Sequence, residues 1–253
     1  MLLFVLPAVV QAQFNYKTVG GKITITKYTG TGGAVPIPST INNLPVTSIG
    51  TNAFASCVTL TSVTIPTSVT TIGNYAFTGC TSLVNLTLSN GLTTIGNYAF
   101  TGCTSLANLT LPSSVTTIGN YAFNGCTSLM GVFFQGNAPS LGGSYVFNGD
   151  NNATIYYFPG TAGWGRTFGG RRAVLWNPEP QNVVIQTNRF GFTITGSSNL
   201  VIVVEACTNP ANPLWSPVAT NTLKTFIGTN GTSYFSDPQW TNYSGRFYRL
   251  RSP

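Results

Sequence analysis

The chain has 253 residues, of which 42% are hydrophobic and only 6% are charged, and its formal net charge is +7. No charged residue lies between Tyr28 and Gly149, so this stretch offers no cationic face for phosphates, and we expect no nucleic-acid partner. Because histidine is absent and the few acidic residues are widely spaced, we expect no enzyme, no metal site and no cofactor. The four acidic residues are Asp150, Glu179, Glu205 and Asp237.

Residues 1–12 are predicted to be part of a secretory signal peptide. Leu2 to Val10 is an apolar run, and Val10 and Ala12 fit the small-residue positions of a cleavage site after Ala12. No basic residue precedes the run, so a buried first strand is the alternative. A membrane helix needs about 20 apolar residues, and we therefore expect no integral membrane segment.

A repeat of 23 residues dominates the chain. The segment from Ile72 to Leu83 returns almost unchanged from Ile95 to Leu106 and from Ile118 to Leu129, with a weaker copy from Ile49 to Leu60. Such a period is the signature of a solenoid, in which each coil buries its apolar side against its neighbours. We predict a β-rich solenoid with an N-terminal cap at 13–48, repeats at 49–141 and a C-terminal cap at 142–176.

Each coil is predicted to contain one strand and one short helical turn. In the strand, Leu86 and Leu88 point inward while Asn85 and Thr87 point outward, because alternate side chains share a face. Apolar residues spaced four and five apart later in the coil favour a helical turn packed inward. Equivalent residues should stack about 4.8 Å apart. These columns are Ile49, Ile72, Ile95 and Ile118; Phe54, Phe77, Phe100 and Phe123; and Leu60, Leu83, Leu106 and Leu129.

Two sets of outward residues are the candidate binding surface. The strands offer an uncharged polar ladder, and a separate column of tyrosines either binds a sugar or partner chain, if exposed, or covers the edge of the core, if half-buried. For the tyrosines the structural role is the favoured interpretation. The candidate residues are Asn85, Thr87, Asn108 and Thr110 in the ladder, and Tyr75, Tyr98 and Tyr121 in the column.

Four of the five cysteines share one column of the repeat. Because no C-x-x-C pair and no histidine accompany them, a metal ladder is disfavoured. Disulfides between neighbouring coils are a second alternative. The favoured interpretation is that they are small buried apolar residues. The column is Cys57, Cys80, Cys103 and Cys126, and Cys207 lies outside the repeat.

Beyond the repeats, the sequence predicts a second, smaller domain. The proline-rich residues 177–181 are predicted to be a stiff linker. Six short β-like runs with turn residues between them follow in 182–253, as expected of a small all-β sandwich or barrel. This domain is interpreted as a stability module, an export or anchoring signal, or a glycan-binding domain.

The repeat pattern L-x-x-L-x-L-P-x-s-V-T-x-I-G-x-x-A-F-x-G-C resembles the 23-residue leucine-rich repeat of bacterial surface antigens, the BspA-like or Treponema-type class. The resemblance extends roughly from Phe14 to Arg172. It implies a secreted or cell-surface protein used in adhesion and protein binding. We expect the partner to be a protein or a glycan on a cell surface. It supplies no catalytic residues. The alternative function is a carbohydrate-binding or cell-wall-associated module.

Overall fold

The computed structural model describes residues 13–186, 189–197, 201–211, 213–222, 230–243 and 245–251. The predicted signal peptide at 1–12 lies outside these residues. The chain divides into two compact units, Met1–Ala173 and Val174–Pro253. The predicted linker at 177–181 overlaps a strand of the second unit that begins at Glu179.

The first unit and the junction are built from short strands. In chain order they are β1 Phe14–Val19, β2 Lys22–Tyr28, β3 Gly33–Pro36, β4 Thr40–Ile41, β5 Leu44–Ile49, β6 Leu60–Thr64, β7 Thr71–Ile72, β8 Asn85–Thr87, β9 Thr94–Ile95, β10 Asn108–Leu111, β11 Thr117–Ile118, β12 Gly131–Phe134, β13 Ser140–Leu141, β14 Thr154–Tyr157, β15 Thr167–Phe168 and β16 Arg171–Leu175. Each coil contributes one strand of two or more residues to each of two sides of the solenoid.

One side of the solenoid is a single sheet in the order β1-β2-β5-β7-β9-β11-β13, with β4 paired to β5. The β1–β2 hairpin is antiparallel and covers the N-terminal end of the core, and from β2 onward successive coils pair in parallel. Equivalent residues are in register, so Ile72 lies opposite Ile95, and Ile95 opposite Ile118. The predicted solenoid is confirmed.

The core consists of columns of identical side chains. Phe54, Phe77, Phe100 and Phe123 are fully buried, and their neighbouring ring centroids lie 4.7, 5.1 and 5.3 Å apart in nearly parallel planes. Phe147 extends this column at 5.5 Å. Since burial of one large apolar side chain contributes roughly 1.5–3 kcal/mol, the columns are the main source of stability in this unit.

The predicted short helical turns are a run of tight turns instead. The amides of Ala76 and Thr78 bond three residues back, whereas the amides of Tyr75 and Phe77 donate to carbonyls in the next coil, at 2.9 and 2.7 Å. Tyr75 also has φ +57°, a left-handed value that no right-handed helix contains. Inter-coil hydrogen bonds therefore replace the helical ones.

The glycine that follows each core isoleucine is required by close contact between coils. A Cβ atom on Gly96 would lie 2.7 Å from the backbone nitrogen of Asn74, and one on Gly119 would lie 2.4 Å from that of Asn97. These distances are too short for any side chain, so the coils can stack at this corner only on glycine.

The described residues of the second unit that follow β16 form six strands in two antiparallel sheets. They are β17 Glu179–Gln186, β18 Arg189–Ser197, β19 Val201–Cys207, β20 Ser216–Thr222, β21 Asn230–Asp237 and β22 Phe247–Arg251, with one 3-10 turn at Trp240–Asn242 before β22. The sheet orders are β17-β18-β21 and β20-β19-β22. Phe192, Ile194, Val204 and Phe235 are among the buried side chains. The predicted small all-β domain is confirmed.

Candidate binding surfaces

The predicted polar ladder is divided between two sheets. Asn85 and Thr87 pair with Ser62 and Thr64 in the sheet β3-β6-β8. Asn108 and Thr110 belong to a separate sheet, β10-β12-β14-β16-β15. Thr110 there lies opposite a phenylalanine rather than a polar residue. The first two side chains are exposed and the second two are half-buried. The structure therefore does not bring the four residues into one continuous ladder.

The tyrosine column, in contrast, is continuous. Centroids are 4.8 Å apart for Tyr75 and Tyr98 and 5.0 Å for Tyr98 and Tyr121, and the ring planes differ by 3° and 10°. Tyr145 adds a fourth ring at 5.3 Å. The end rings, Tyr75 and Tyr145, are 40% and 54% exposed, and the two inner residues are half-buried. Stacking covers the faces between neighbouring rings, so the inner tyrosines can offer a ligand only their edges and hydroxyls.

Three of these tyrosines have a left-handed backbone. The φ angles of Tyr75, Tyr98 and Tyr121 are 57°, 57° and 55°. The equivalent residue of the first repeat is Asn52, with φ 58°. Asparagine tolerates this conformation through its short polar side chain, whereas for a bulky residue it costs roughly 1–2 kcal/mol. Later repeats therefore have tyrosine at a left-handed position that asparagine would occupy with less backbone strain.

An asparagine ladder runs beside the tyrosines. The Oδ1 atom of Asn74 accepts the backbone N–H of Asn97 at 2.8 Å, and that of Asn97 accepts the N–H of Asn120 at 2.7 Å. The side-chain carbonyl oxygens of Asn74 and Asn97 are thereby used between coils, whereas that of Asn120 is buried without a hydrogen-bond partner. We call these seven residues the Asn–Tyr ridge: Asn74, Asn97, Asn120, Tyr75, Tyr98, Tyr121 and Tyr145.

Of the ridge residues, only Tyr75, Tyr98 and Tyr121 were among the predicted ones. The asparagines repeat with the same 23-residue spacing, so the period could have identified them. Tyr145 follows Tyr121 after 24 residues, which breaks the period and hides it from a search at constant spacing.

The cysteines are free thiols. Cys80, Cys103 and Cys126 are buried, and their Sγ atoms donate to the carbonyls of Phe54, Phe77 and Phe100 at 3.2–3.3 Å. Burial raises the pKa of the Cys80 thiol far above its usual value, so these thiols are inert hydrogen-bonded members of the core. The part of the chain that the structure describes contains no group of three or more potential metal ligands.

Asp150 occupies the end of the cysteine column. It follows Cys126 by 24 residues, as Phe147 follows Phe123. Its side chain is fully buried, and neither carboxyl oxygen has a hydrogen-bond partner. Burial raises its pKa from 3.8 to about 7, although the positive charge of Arg171 acts to lower it. A carboxyl group that is largely protonated only below about pH 7 thus takes the place of a thiol at the end of the column.

Among the described residues, no helix has the length and apolar character needed to cross a membrane.

The fold and the ridge define a leucine-rich repeat solenoid with a short, repeated coil. The family model of the BspA type leucine rich repeat region matches residues 47–162 in six copies. A T. pallidum leucine-rich repeat protein is 38% identical, the match covers 57% of this chain and 69% of that protein, and the TM-score is 0.55. The chain belongs to the family of BspA-type leucine-rich repeat proteins, which confirms the resemblance seen in its sequence.

Further solved structures are also similar to the chain. A leucine-rich repeat protein from Bacteroides capillosus is 34% identical over 49% of this chain and 95% of that protein, with a TM-score of 0.43. A leucine rich cell surface protein from Faecalibacterium prausnitzii is 24% identical over 57% of this chain and 53% of that protein, with a TM-score of 0.41. No curated protein matches the chain.

Proposed function

We propose that this protein is exported, is not an enzyme, and holds a partner protein at a cell surface through the Asn–Tyr ridge. The observation that carries the proposal is the left-handed conformation of Tyr75, Tyr98 and Tyr121 at a position where the first repeat has asparagine. Backbone strain of this kind persists where it serves function. Adhesion fits the family, and the predicted signal peptide at 1–12 supports export.

The chemistry of the ridge favours a protein partner. Tyrosine and asparagine, with glycine beside them, are the residues that antibody paratopes use, because tyrosine gives a large rigid contact at low entropic cost and asparagine adapts its hydrogen bonds. The ridge lies in a stretch without charged residues. We therefore expect its binding to depend little on ionic strength.

A glycan partner, in a carbohydrate-binding or cell-wall-associated role, is the second candidate. The stacked rings leave open faces only at the ends of the column, because each inner ring has a tyrosine on both sides. Sugar rings could then stack only on Tyr75 or Tyr145. The exposed pair Asn85 and Thr87 offers a further polar contact for either kind of partner, and Asn108 and Thr110 offer a smaller one.

The test uses the variant Tyr98→Asn. Because it removes a binding group and also relieves backbone strain, its stability should stay within about 1 kcal/mol of the wild type, the gain offsetting the lost stacking. Loss of an interface tyrosine at a hot spot weakens binding roughly 10-fold or more. The measurement is affinity for proteins extracted from cell surfaces, with thermal unfolding recorded in parallel.

The matched control is Ser128→Ala, which changes an exposed residue outside the ridge and outside the polar ladder. Specific capture that Tyr98→Asn abolishes and Ser128→Ala retains supports the proposal. Capture that both variants retain rejects the ridge as the binding surface. Glycan-array binding lost in Tyr75→Ala but kept in Tyr98→Asn favours the glycan alternative instead.

A further inference from the structure

The four tyrosines of the ridge form one continuous stack of phenol rings. Tyr75, Tyr98 and Tyr121 share the same left-handed backbone conformation, so successive coils send these side chains out in the same direction. Neighbouring planes from Tyr75 to Tyr145 differ by only 3°, 10° and 9°. Stacking at centroid distances near 5 Å is a favourable arrangement of aromatic rings. Each inner ring therefore has another phenol against both of its faces.

The stack is accessible to reagents at its ends. Tyr75 and Tyr145 are 40% and 54% exposed, whereas Tyr98 and Tyr121 are half-buried between them. The four side groups are chemically identical and in contact. An electron removed from an end ring can therefore be replaced from the inner ring beside it, which passes the oxidation along the column.

The coils that carry these rings are held together without disulfides. All five cysteines are free thiols, and Cys80, Cys103 and Cys126 are buried in the core. Neighbouring coils are joined by packing and by hydrogen bonds such as that from the Asn97 amide to the side chain of Asn74. A bond between tyrosines of two neighbouring coils would add a covalent link across one repeat.

We propose that neighbouring tyrosines of this column are a modification site, at which one-electron oxidation forms dityrosine cross-links between coils. Each phenol first loses one electron, and its hydroxyl proton passes to water. The unpaired electron of the resulting phenoxyl radical is shared by the oxygen and ring carbons, including both Cε atoms, in an orbital whose lobes lie on the faces of the ring. Two stacked rings direct these lobes toward each other.

The two radicals combine through a carbon–carbon bond between one Cε atom of each ring. The hydrogen on each of these carbons then moves by way of water to the phenol oxygen, so the product has two hydrogen atoms fewer than the two tyrosines. The oxidant is hydrogen peroxide acting through a haem peroxidase, and one peroxide takes up two electrons and two protons to become two water molecules. The reaction needs no bound partner, so it is independent of the proposed function.

The experiment compares two double variants that each keep two tyrosines of the column. The variant with Tyr121→Phe and Tyr145→Phe keeps Tyr75 and Tyr98, which are in contact. The variant with Tyr98→Phe and Tyr145→Phe keeps Tyr75 and Tyr121, which are separated by the ring of the substituted residue. Phenylalanine preserves the stack in both, and the unfolding temperature before oxidation verifies the fold. The tyrosines outside the column are the same in the two variants.

Each variant is treated in dilute solution with hydrogen peroxide and a peroxidase, and the monomer is then isolated. In the variant with adjacent tyrosines we expect dityrosine fluorescence and a mass loss of two hydrogen atoms, at a yield severalfold higher than in the variant with separated tyrosines. The cross-linked monomer should also unfold at a higher temperature, because a covalent link across a coil restricts the unfolded chain, as a disulfide does.

The control for exposure alone is Tyr16→Phe. Tyr16 is 37% exposed, nearly as much as Tyr75, but its hydroxyl accepts a hydrogen bond from Asn42 in the N-terminal cap, outside the column. This change should leave the yield of the wild-type chain unaltered. Equal yields from the two double variants, no dityrosine in either, or dityrosine found only in covalent dimers would overturn the proposal.

Discussion

The two units stabilise themselves in different ways. The first unit has no charged residue between Tyr28 and Gly149 and repeats the same side chains in columns, so its contacts join residues about 23 positions apart. The second unit relies on unlike residues that are distant in sequence, such as Arg249 and Arg251 on Glu205, 44 and 46 positions away. Local repetition and long-range pairing are thus two separate solutions within one chain.

This difference has consequences for cooperativity. In a solenoid each coil contacts only its neighbours, so damage stays near the altered coil. In the second unit one apolar core joins both sheets through the ring contacts of Tyr248 with Phe190, Phe192 and Phe235, so damage spreads through the unit.

The largest expected effect comes from Phe100→Ala. The ring is fully buried between Phe77 and Phe123, so the deletion should cost roughly 3–5 kcal/mol. Hydrogen exchange should show the lost protection in the coils around residues 77–123. The contrasting variant is Phe192→Ala in β18, which should reduce protection throughout the second unit and leave the solenoid unchanged. Uniform loss across the solenoid after Phe100→Ala would contradict the nearest-neighbour picture.

The next effect is a pH dependence that arises from Asp150. Its pKa is about 7 in the folded chain against 3.8 for an ordinary aspartate, so between these values the folded state holds a proton that the unfolded state releases. The solenoid should therefore be most stable below about pH 4, lose stability as the pH rises to about 7, and change little above that. We expect the free energy of unfolding to fall by an amount on the order of 2 kcal/mol, about half of what the full pKa shift of Asp150 would give.

The measurement is urea unfolding at several pH values between 4 and 8. The chain contains no histidine that would titrate in this range. The matched variant is Asp150→Cys, which restores the residue found at this place in the preceding coils and should abolish the dependence. A wild-type solenoid with equal stability at pH 4.5 and 7.5 would show that the carboxyl group is already ionised or solvated.

Much of the fold could be predicted from the sequence because the core residues recur at the same 23-residue spacing as the sequence repeat. The 23-residue period placed the Phe100 column and the register of Ile95 correctly. It did not reveal that the turn at Tyr75 is non-helical, because this depends on whether the amide of Phe77 bonds within its coil or to Ala99 in the next. Spacing in sequence does not distinguish these two partners.

The candidate binding surfaces, too, could be predicted from the sequence only in part. The tyrosine column followed from the period, but its left-handed backbone and covered ring faces are properties of stacked coils. The polar residues Asn85, Thr87, Asn108 and Thr110 also followed from the period, but the division of their strands between two sheets has no signal in the near-identical repeats. In the second unit the strands followed from β-forming runs, whereas the pairing of Glu205 with Arg251 depends on which strands become neighbours.

The smallest expected effect is a difference in salt dependence between the units. Ion pairs such as Arg249–Glu205 are partly exposed and contribute about 0–1 kcal/mol each, which added salt reduces. Raising NaCl from 0.05 to 0.5 M should therefore lower the unfolding temperature of the second unit by a few degrees, since about 1 kcal/mol shifts a domain of this size by roughly 4–8 °C. The uncharged repeats have no such pairs to screen, so the unfolding temperature of the solenoid should not fall.

The measurement is calorimetry, which records the unfolding transitions of the two units. Arg251→Gln should reduce the salt-induced shift of the second unit's transition only. If the unfolding temperature of the solenoid fell with salt as much as that of the second unit, ion pairs would not explain the difference in stabilisation between the two units.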